Sequence, residues 1–164
     1  MAIPKKVLTH LAKQTYRYDV IEHRTTYTAW DTAQTEQVPP RAIVKALVVA
    51  IGKMHVLALV PADRRLAIPK LIALVKKNVP QGTKLPRTAT LAREAWMKKS
   101  IPGALGATPP FAALVRIPVY MDALLAKNAK IYVGSGSYVH AVRIATAQYR
   151  KKENPCIGAI SMKK

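Results

Sequence analysis

A lysine stands inside the apolar run AIVKALVV, residues 42–49, where a charged side chain is unexpected. If the run is an extended strand, Ile43, Lys45 and Leu47 share one face, and both faces of the strand are apolar. Because an unpaired buried ammonium group costs several kcal/mol, Lys45 needs a cavity, a partner or a lowered pKa. Two interpretations stay open: Lys45 serves a binding pocket, or it reaches water or an internal carboxylate such as Asp122.

Two stretches rich in glycine form a second candidate feature, PGALGATPPF at 102–111 and VGSGSYVH at 133–140. Stiff loops of this composition can present backbone N–H groups to a ligand, although glycine and proline also mark ordinary tight turns. His140 follows Gly136 by four residues, on a strand expected to begin at Ser137, and could reach a site near the turn. A core histidine with satisfied hydrogen bonds is the other interpretation.

The common catalytic motifs are missing from the sequence. It contains no GxxxxGK[ST] phosphate loop, no GxGxxG after a strand, no GxSxG and no HExxH. The four histidines are scattered, and the eight carboxylates show no metal-binding spacing. Cys156 is the single cysteine, which excludes an internal disulfide and favours a bland, partly exposed thiol. Any hydrolysis is therefore expected to proceed without a metal, a cofactor or an obvious covalent nucleophile.

Positive charge is the strongest signal in the composition. The chain has 27 Lys and Arg against 8 Asp and Glu, a net charge of +19. Such an excess favours a polyanionic partner, and its dispersal as pairs and triplets suits a folded surface that follows a phosphate backbone. A merely solvated basic face is the alternative. No apolar run approaches the ~18 to 20 residues of a membrane span, and the N-terminus makes a poor signal peptide, so we expect a cytoplasmic protein with no membrane partner.

The elements that must position these residues alternate between helices and strands. The clearest is a hairpin of 42–51 and 54–62, joined by Gly52-Lys53. Thr28 is expected to cap a helix that Pro39-Pro40 ends. The other predicted helices are 3–14, 66–77, 91–98, 122–128 and 146–152, and the other strands are 18–22, 114–122, 130–134 and 137–144. Several connections are too short for parallel crossovers, so the pattern predicts one mixed α/β domain with a largely antiparallel sheet and helices around it.

Taken in order, these motifs resemble a known family over about residues 18–150. The series consists of HxxxxT (His23 and Thr28), the strand lysine Lys45, LALVPADRRL (57–66), GATPPF (106–111), VYMD (119–122) and IYVGSGSYVHAVRI (131–144). It is similar to the YbaK/prolyl-tRNA-synthetase-associated editing domain. The resemblance implies a curved YbaK-like sheet and hydrolysis of the ester of a mischarged aminoacyl-tRNA. The length implies a free-standing member that acts in trans.

The resemblance also implies the site. Lys45, Gly106 and His140 are the expected catalytic residues. In that family the lysine holds the tRNA 3′ end, the GxxxP loop positions the ester, and the attacking water is helped by a ribose hydroxyl of the substrate. Asp122 is expected to cap the helix that follows it rather than to orient Lys45. The expected substrate-binding residues are His23, Thr28, Ala107, Thr108, Pro109, Pro110, Gly134, Ser135, Gly136 and Ser137.

Three functions remain open on the sequence. The first is the deacylase, with the aminoacylated 3′ end of tRNA as partner and an aminoacyl-tRNA synthetase as a further one. The second is a non-catalytic RNA-binding module that uses the same basic surface. The third is a hydrolase of small aminoacyl esters. The basic segment 78–99 departs from the family's common pattern and is not assigned a role.

Overall fold

The computed structural model describes residues 2–23, 25 and 38–164. Its described residues form six α-helices, ten strands and a short 3-10 turn at Pro40–Ala42. The helices are α1 (Lys5–Lys13), α2 (Ile68–Lys77), α3 (Glu94–Ser100), α4 (Ala112–Val115), α5 (Ala123–Ala126) and α6 (Thr146–Glu153). The strands are β1 (Tyr18–Glu22), β2 (Val44–Ile51), β3 (Met54–Pro61), β4 (Arg64–Leu66), β5 (Thr90–Leu91), β6 (Val119–Asp122), β7 (Lys130–Gly134), β8 (His140–Ala145), β9 (Cys156–Gly158) and β10 (Ser161–Lys163).

The largest sheet has five strands in the order β5-β2-β3-β6-β9. Strand β2 pairs antiparallel with β3 and with β5, whereas β3–β6 and β6–β9 are parallel pairs. The predicted hairpin is confirmed, since Ile51 and Met54 form the pair nearest the turn, where Gly52 adopts φ 61°. The mixed α/β class with mostly antiparallel pairing is confirmed as well.

Two smaller sheets flank this one. Strands β1, β8 and β7 form an antiparallel sheet, and β10 pairs antiparallel with β4. A single parallel bridge between Ile43 and Tyr132 connects the start of β2 with β7. Since both strands run in the same direction from that bridge, they lead side by side toward Lys45 and Gly134.

The hairpin is buried on both faces, as the apolar pattern of β2 predicts. One face contributes Val44 and Val48 to a core that also contains Phe111 and Met121. The other contributes Val49 and Ile51 to a second core under α2 and the C-terminal strands. Because side chains alternate along a strand, Lys45 lies on the second face. Its charge is therefore located between the sheet and the elements that cover this face.

Two local predictions need correction. Residues 114 and 115 end helix α4, and only Val119–Asp122 of the predicted strand 114–122 is extended. Strand β8 begins at His140 instead of Ser137. The C-terminal tail, for which no element was predicted, contains β9 and β10. The helix expected after Thr28 lies outside the described residues.

Candidate active site

Two glycine-rich loops meet at backbone contact. The N–H of Gly136 donates to the carbonyl of Ala107 at 2.7 Å, and the N–H of Ala104 donates to the carbonyl of Gly136 at 2.9 Å. A Cβ on Gly134 would stand 2.4 Å from the carbonyl oxygen of Thr108. Only glycine permits such an approach, so the sequence fixes the 103–110 loop against the end of β7. The two glycine-rich stretches singled out in the sequence are therefore in direct backbone contact.

The turn between β7 and β8 orients His140. The hydroxyl of Ser137 and Nδ1 of His140 are 3.0 Å apart, and the hydroxyl of Ser135 donates to the His140 carbonyl at 2.7 Å. Both serines are buried, with 0% exposure for Ser135 and 2% for Ser137. The hydrogen bond with Ser137 restricts the orientation of the ring, and Nε2 makes no hydrogen bond to a described residue. The serine side chains thus serve the turn and position the imidazole.

Helix α6 holds the first loop from the protein interior. The hydroxyl of Tyr149 donates to the carbonyl of Pro110 at 2.6 Å. One carboxylate oxygen of Glu153 accepts from the N–H of Ala112 at 2.9 Å, and the other accepts from the hydroxyl of Tyr16. Burial raises the pKa of Tyr149 well above its ordinary value, and the charge of Glu153 acts in the same direction. The phenol therefore stays protonated and remains a donor to the loop.

Lys45 is half-buried, as its place in the strand predicts, and its Nζ donates to the carbonyl of Arg64 at 2.6 Å. Burial lowers the pKa of Lys45 below its ordinary value, and the positive charge of Lys164 adds to this effect. Asp63 opposes the shift, and Arg65 reinforces it. A lysine with a lowered pKa and a single backbone acceptor keeps donors available for an anionic or carbonyl group.

Asp122 neither caps helix α5 nor pairs with Lys45. It occupies the N-cap position without a side-chain capping bond. Its carboxylate instead accepts from the N–H of Ile160 at 2.9 Å and from the hydroxyl of Ser161 at 2.9 Å. The same hydroxyl lies 2.7 Å from Nε of Arg64. The capping prediction was wrong, because the buried carboxylate is used to fasten the C-terminal tail beside β4.

The structure brings part of the predicted set together. Ala107 and Thr108 of the first loop lie against Gly134 and Gly136. Ser135 and Ser137 hydrogen-bond to His140 within the turn, and Gly106, Pro109 and Pro110 belong to the same loop as Ala107. His23 adjoins this turn, since its N–H donates to the carbonyl of Val139 at 2.8 Å. Lys45 forms a separate group with Arg64 and contacts neither His140 nor the glycine loops through a hydrogen bond among the described residues. Thr28 lies outside the described residues.

Three contributors were absent from the sequence prediction: Tyr149, Glu153 and the tail strand β10. A signal existed for Glu153, which is one of eight acidic residues and follows the basic triplet Arg150-Lys151-Lys152. A carboxylate is rare in this basic chain and, when buried, needs partners, although charged side chains are mostly exposed. For Tyr149 and β10 the partners are distant in sequence, and no local pattern reveals them.

Two structural features, metal-binding clusters and membrane-spanning helices, bear on the kind of partner the chain can have. Within residues 2–23, 25 and 38–164, no group of three or more His, Cys, Asp or Glu side chains is placed to hold a metal ion. Over the same residues, no helix has the length and apolarity needed to cross a membrane.

Known proteins resemble the chain in sequence and in fold. The family model of the aminoacyl-tRNA editing domain matches residues 23–152. The crystal structure of hypothetical protein APE2540 superimposes with a TM-score of 0.81 at 21% identity, covering 96% of this chain and 100% of that one. A proposed trans-editing enzyme for prolyl tRNA synthetase gives 0.80 at 20% identity, covering 98% and 99%. At such identities the superpositions establish the fold. No curated protein gives a significant sequence match.

Proposed function

This chain belongs to the aminoacyl-tRNA editing domain family, whose model spans residues 23–152, and from that premise we propose that it is an aminoacyl-tRNA deacylase acting in trans. The observation that carries the proposal is the junction of the 103–110 loop with the turn after β7. In this proposal the N–H of Gly106, in the loop, serves the ester carbonyl, and the imidazole of His140, whose Nδ1 lies 3.0 Å from the hydroxyl of Ser137, serves the substrate from the turn. This is an arrangement suited to an ester and its developing oxyanion.

The reaction we propose is hydrolysis of the ester that joins an amino acid to the terminal ribose of tRNA. A water oxygen attacks the carbonyl carbon, the bond from that carbon to the ribose oxygen breaks, and the free amino acid leaves. The vicinal ribose hydroxyl orients the water, gives its own proton to the departing ribose oxygen and takes one proton from the attacking water. The chain contributes positioning and charge stabilisation, which can supply a large share of a hydrolytic rate enhancement.

Each group has a proposed role in this step. Gly106 donates its N–H to the carbonyl oxygen as negative charge develops there. His140 uses Nε2 to hold a substrate hydroxyl or the water, since its Nδ1 is engaged by Ser137. Lys45 binds a phosphate of the tRNA 3′ end, where its half-burial strengthens the attraction compared with a solvated lysine. The buried wall of Ala107, Thr108, Pro109 and Pro110 limits the size of the amino acid.

A panel of alanyl-, cysteinyl-, seryl- and threonyl-tRNAs tests the proposal. The purified chain is expected to release the amino acid from at least one of them, with the uncatalysed rate subtracted. Turnover of small aminoacyl esters at an equal rate would instead assign a general esterase. The absence of turnover on every substrate, together with tight tRNA binding, would assign the non-catalytic RNA-binding function that the net charge of +19 also suits.

A further inference from the structure

A concave surface lies beside helix α3 and borders the start of the 103–110 loop at Pro102. This groove, called here the Trp96 groove, has a volume of about 610 Å³ and runs between helix α3, the following residues Ile101 and Pro102, and the segment 113–117. Lys6 of α1 completes its rim. The groove includes part of the basic segment 78–99, which the sequence left without a role.

The lining of the Trp96 groove carries positive charge with no negative side chain to balance it. It contains Lys6, Lys98, Lys99 and Arg116, and no carboxylate. All four side chains are exposed, and none forms an ion pair within the described part of the chain. A groove of about 520 Å³ near Tyr18 differs, because its Arg143 is 2.8 Å from a carboxylate oxygen of Asp19. Four unpaired cations around a concave surface attract a polyanion and focus its field.

An aromatic side chain is held rigidly in the same groove. The indole of Trp96 stacks on the imidazole of His55 with ring centroids 3.9 Å apart and an interplanar angle of 5°. Because the stack fixes the indole, ordering it on binding costs little conformational entropy. Cations beside a fixed aromatic ring are the usual surface for a nucleic acid strand, where the ring contacts a sugar or base and the cations contact phosphates.

The backbone conformation of Arg116 supports a role for its side chain in binding. Arg116 ends helix α4 in the left-handed conformation, with φ 56° and ψ 30°. Glycine or asparagine adopts that conformation more readily, and other residues are disfavoured by roughly 1 kcal/mol. An arginine at this position is better explained by a contact outside the fold than by the stability of the helix end.

The groove adjoins the candidate active site through the chain itself. Pro102 in the groove and Gly106 in the site are separated by four residues, which places their Cα atoms at most about 14 Å apart. Between them, Gly103 packs on the backbone of Gly136. A polyanion whose end enters the site can therefore continue into the Trp96 groove.

Resting on the proposed function, we propose that the Trp96 groove binds the phosphate backbone of tRNA next to the aminoacylated end, with Lys98 and Lys99 as its main phosphate contacts. The groove would set the affinity for tRNA, whereas the glycine junction would carry out the reaction. The test uses Lys98→Ala/Lys99→Ala, with Lys76→Ala/Lys77→Ala as the matched control. Both pairs are exposed and lie in the last turn of a helix, so both variants lose the same charge and the same helix-end interaction.

Binding of a purified uncharged tRNA is measured for the three proteins at a series of salt concentrations. The Lys98/Lys99 variant is expected to bind about tenfold or more weakly than the wild type at low salt. The slope of log K against log salt should fall by about 1.5, since each lost phosphate contact removes roughly 0.7 to 0.9. The control should stay within about threefold of wild type. Equal weakening of both variants would overturn the proposal and assign binding to diffuse surface charge. No weakening of either variant would overturn it as well, because neither lysine pair would then contact the tRNA.

Two further readouts separate this inference from the proposed function. Arg116→Asn is expected to weaken tRNA binding while leaving the unfolding midpoint unchanged or raised, an outcome that a purely structural role for Arg116 would not give. In deacylation assays the Lys98/Lys99 variant should raise KM and retain kcat. Groove-dependent binding of uncharged tRNA without any deacylation would contradict only the proposed function. Deacylation with KM unchanged in the variant would contradict only the groove.

Discussion

Gly103 and Gly136 pack so closely that a Cβ on Gly103 would stand 2.4 Å from the Cα of Gly136. Both residues adopt positive φ, 92° and 88°, so each position favours glycine for its conformation as well as for space. The contact lies where the 103–110 loop meets the turn that carries His140. The position of Gly106 relative to the imidazole of His140 therefore depends on the lack of a side chain at both glycines.

Gly103→Ala is expected to lower the deacylation rate by about 100-fold, because the new Cβ must push the two loops apart and displacements near 1 Å have that effect. Gly82→Ala is the control. Gly82 has nearly the same φ, 89°, but no atom within 4 Å of an added Cβ, so it shares the backbone strain without the clash. Deacylation rates are measured for both variants and corrected to the same folded fraction. Equal losses would mean that strain, not the loop contact, is responsible.

Tyr149→Phe removes the hydroxyl that holds the carbonyl of Pro110 and leaves that carbonyl without its donor. The free energy of unfolding should fall by about 0.5 to 1.5 kcal/mol, and kcat should fall more than KM changes because the loop loses its support. Tyr120→Phe is the control, since Tyr120 is also buried but its hydroxyl binds no described residue. Urea denaturation and deacylation kinetics measure the two effects. An unchanged kcat in Tyr149→Phe would show that Tyr149 does not position the loop for the reaction.

Asp122→Ala is expected to destabilise the chain more than Ser161→Ala does. Both the N–H of Ile160 and the hydroxyl of Ser161 donate to this buried carboxylate, so its removal leaves two buried donors unsatisfied. A cost of about 1 to 3 kcal/mol is expected for each such donor. Ser161→Ala removes one donor to the carboxylate and the acceptor of Nε of Arg64, which is only partly buried and can turn to water. Denaturant midpoints compare the variants. Equal stability of Asp122→Ala and wild type would show that the tail is not fastened by this residue.

The lowered pKa of Lys45 predicts a dependence of stability on pH. Below the lowered native pKa, the native and unfolded states both hold the proton, and the burial cost is present in full. As pH rises through the lowered native pKa, the native state loses its proton while the unfolded state keeps it, up to the ordinary value of 10.5. Stability relative to Lys45→Met should therefore rise with pH across that interval. Urea titrations from neutral to alkaline pH measure it, and a flat or falling difference would contradict the assigned burial.

The parts of the fold that the sequence predicted well are those with local causes. Strands β2 and β3 follow from two apolar, β-branched runs around Gly52, and helix α2 follows from its own periodicity. Strand β10 was missed because three residues, Ser161–Lys163, carry no pattern, and their partner Arg64–Leu66 is far away in the chain. Pairings of this kind depend on the tertiary structure that brings the segments together.

The candidate site was predicted in the same uneven way. The glycines identified both loops, because close backbone approach requires that residue type. The charge in β2 identified Lys45 as half-buried, but its partner is the Arg64 carbonyl and not a carboxylate. The error at Asp122 arose because a helix-capping preference, worth ~1 kcal/mol, competes with two long-range donors that the sequence does not reveal.

The central claim is that Lys45 binds the tRNA end in a deacylase site. It is tested most directly by measuring deacylation of the best substrate with wild type, Lys45→Ala and Lys53→Ala side by side, after confirming equal folding by circular dichroism. Lys53 is exposed in the turn of the same hairpin, so its loss removes the same charge outside the proposed pocket. We expect Lys45→Ala to lose nearly all deacylation activity and Lys53→Ala to retain it. Full activity in Lys45→Ala, or equal loss in both variants, would contradict the central claim.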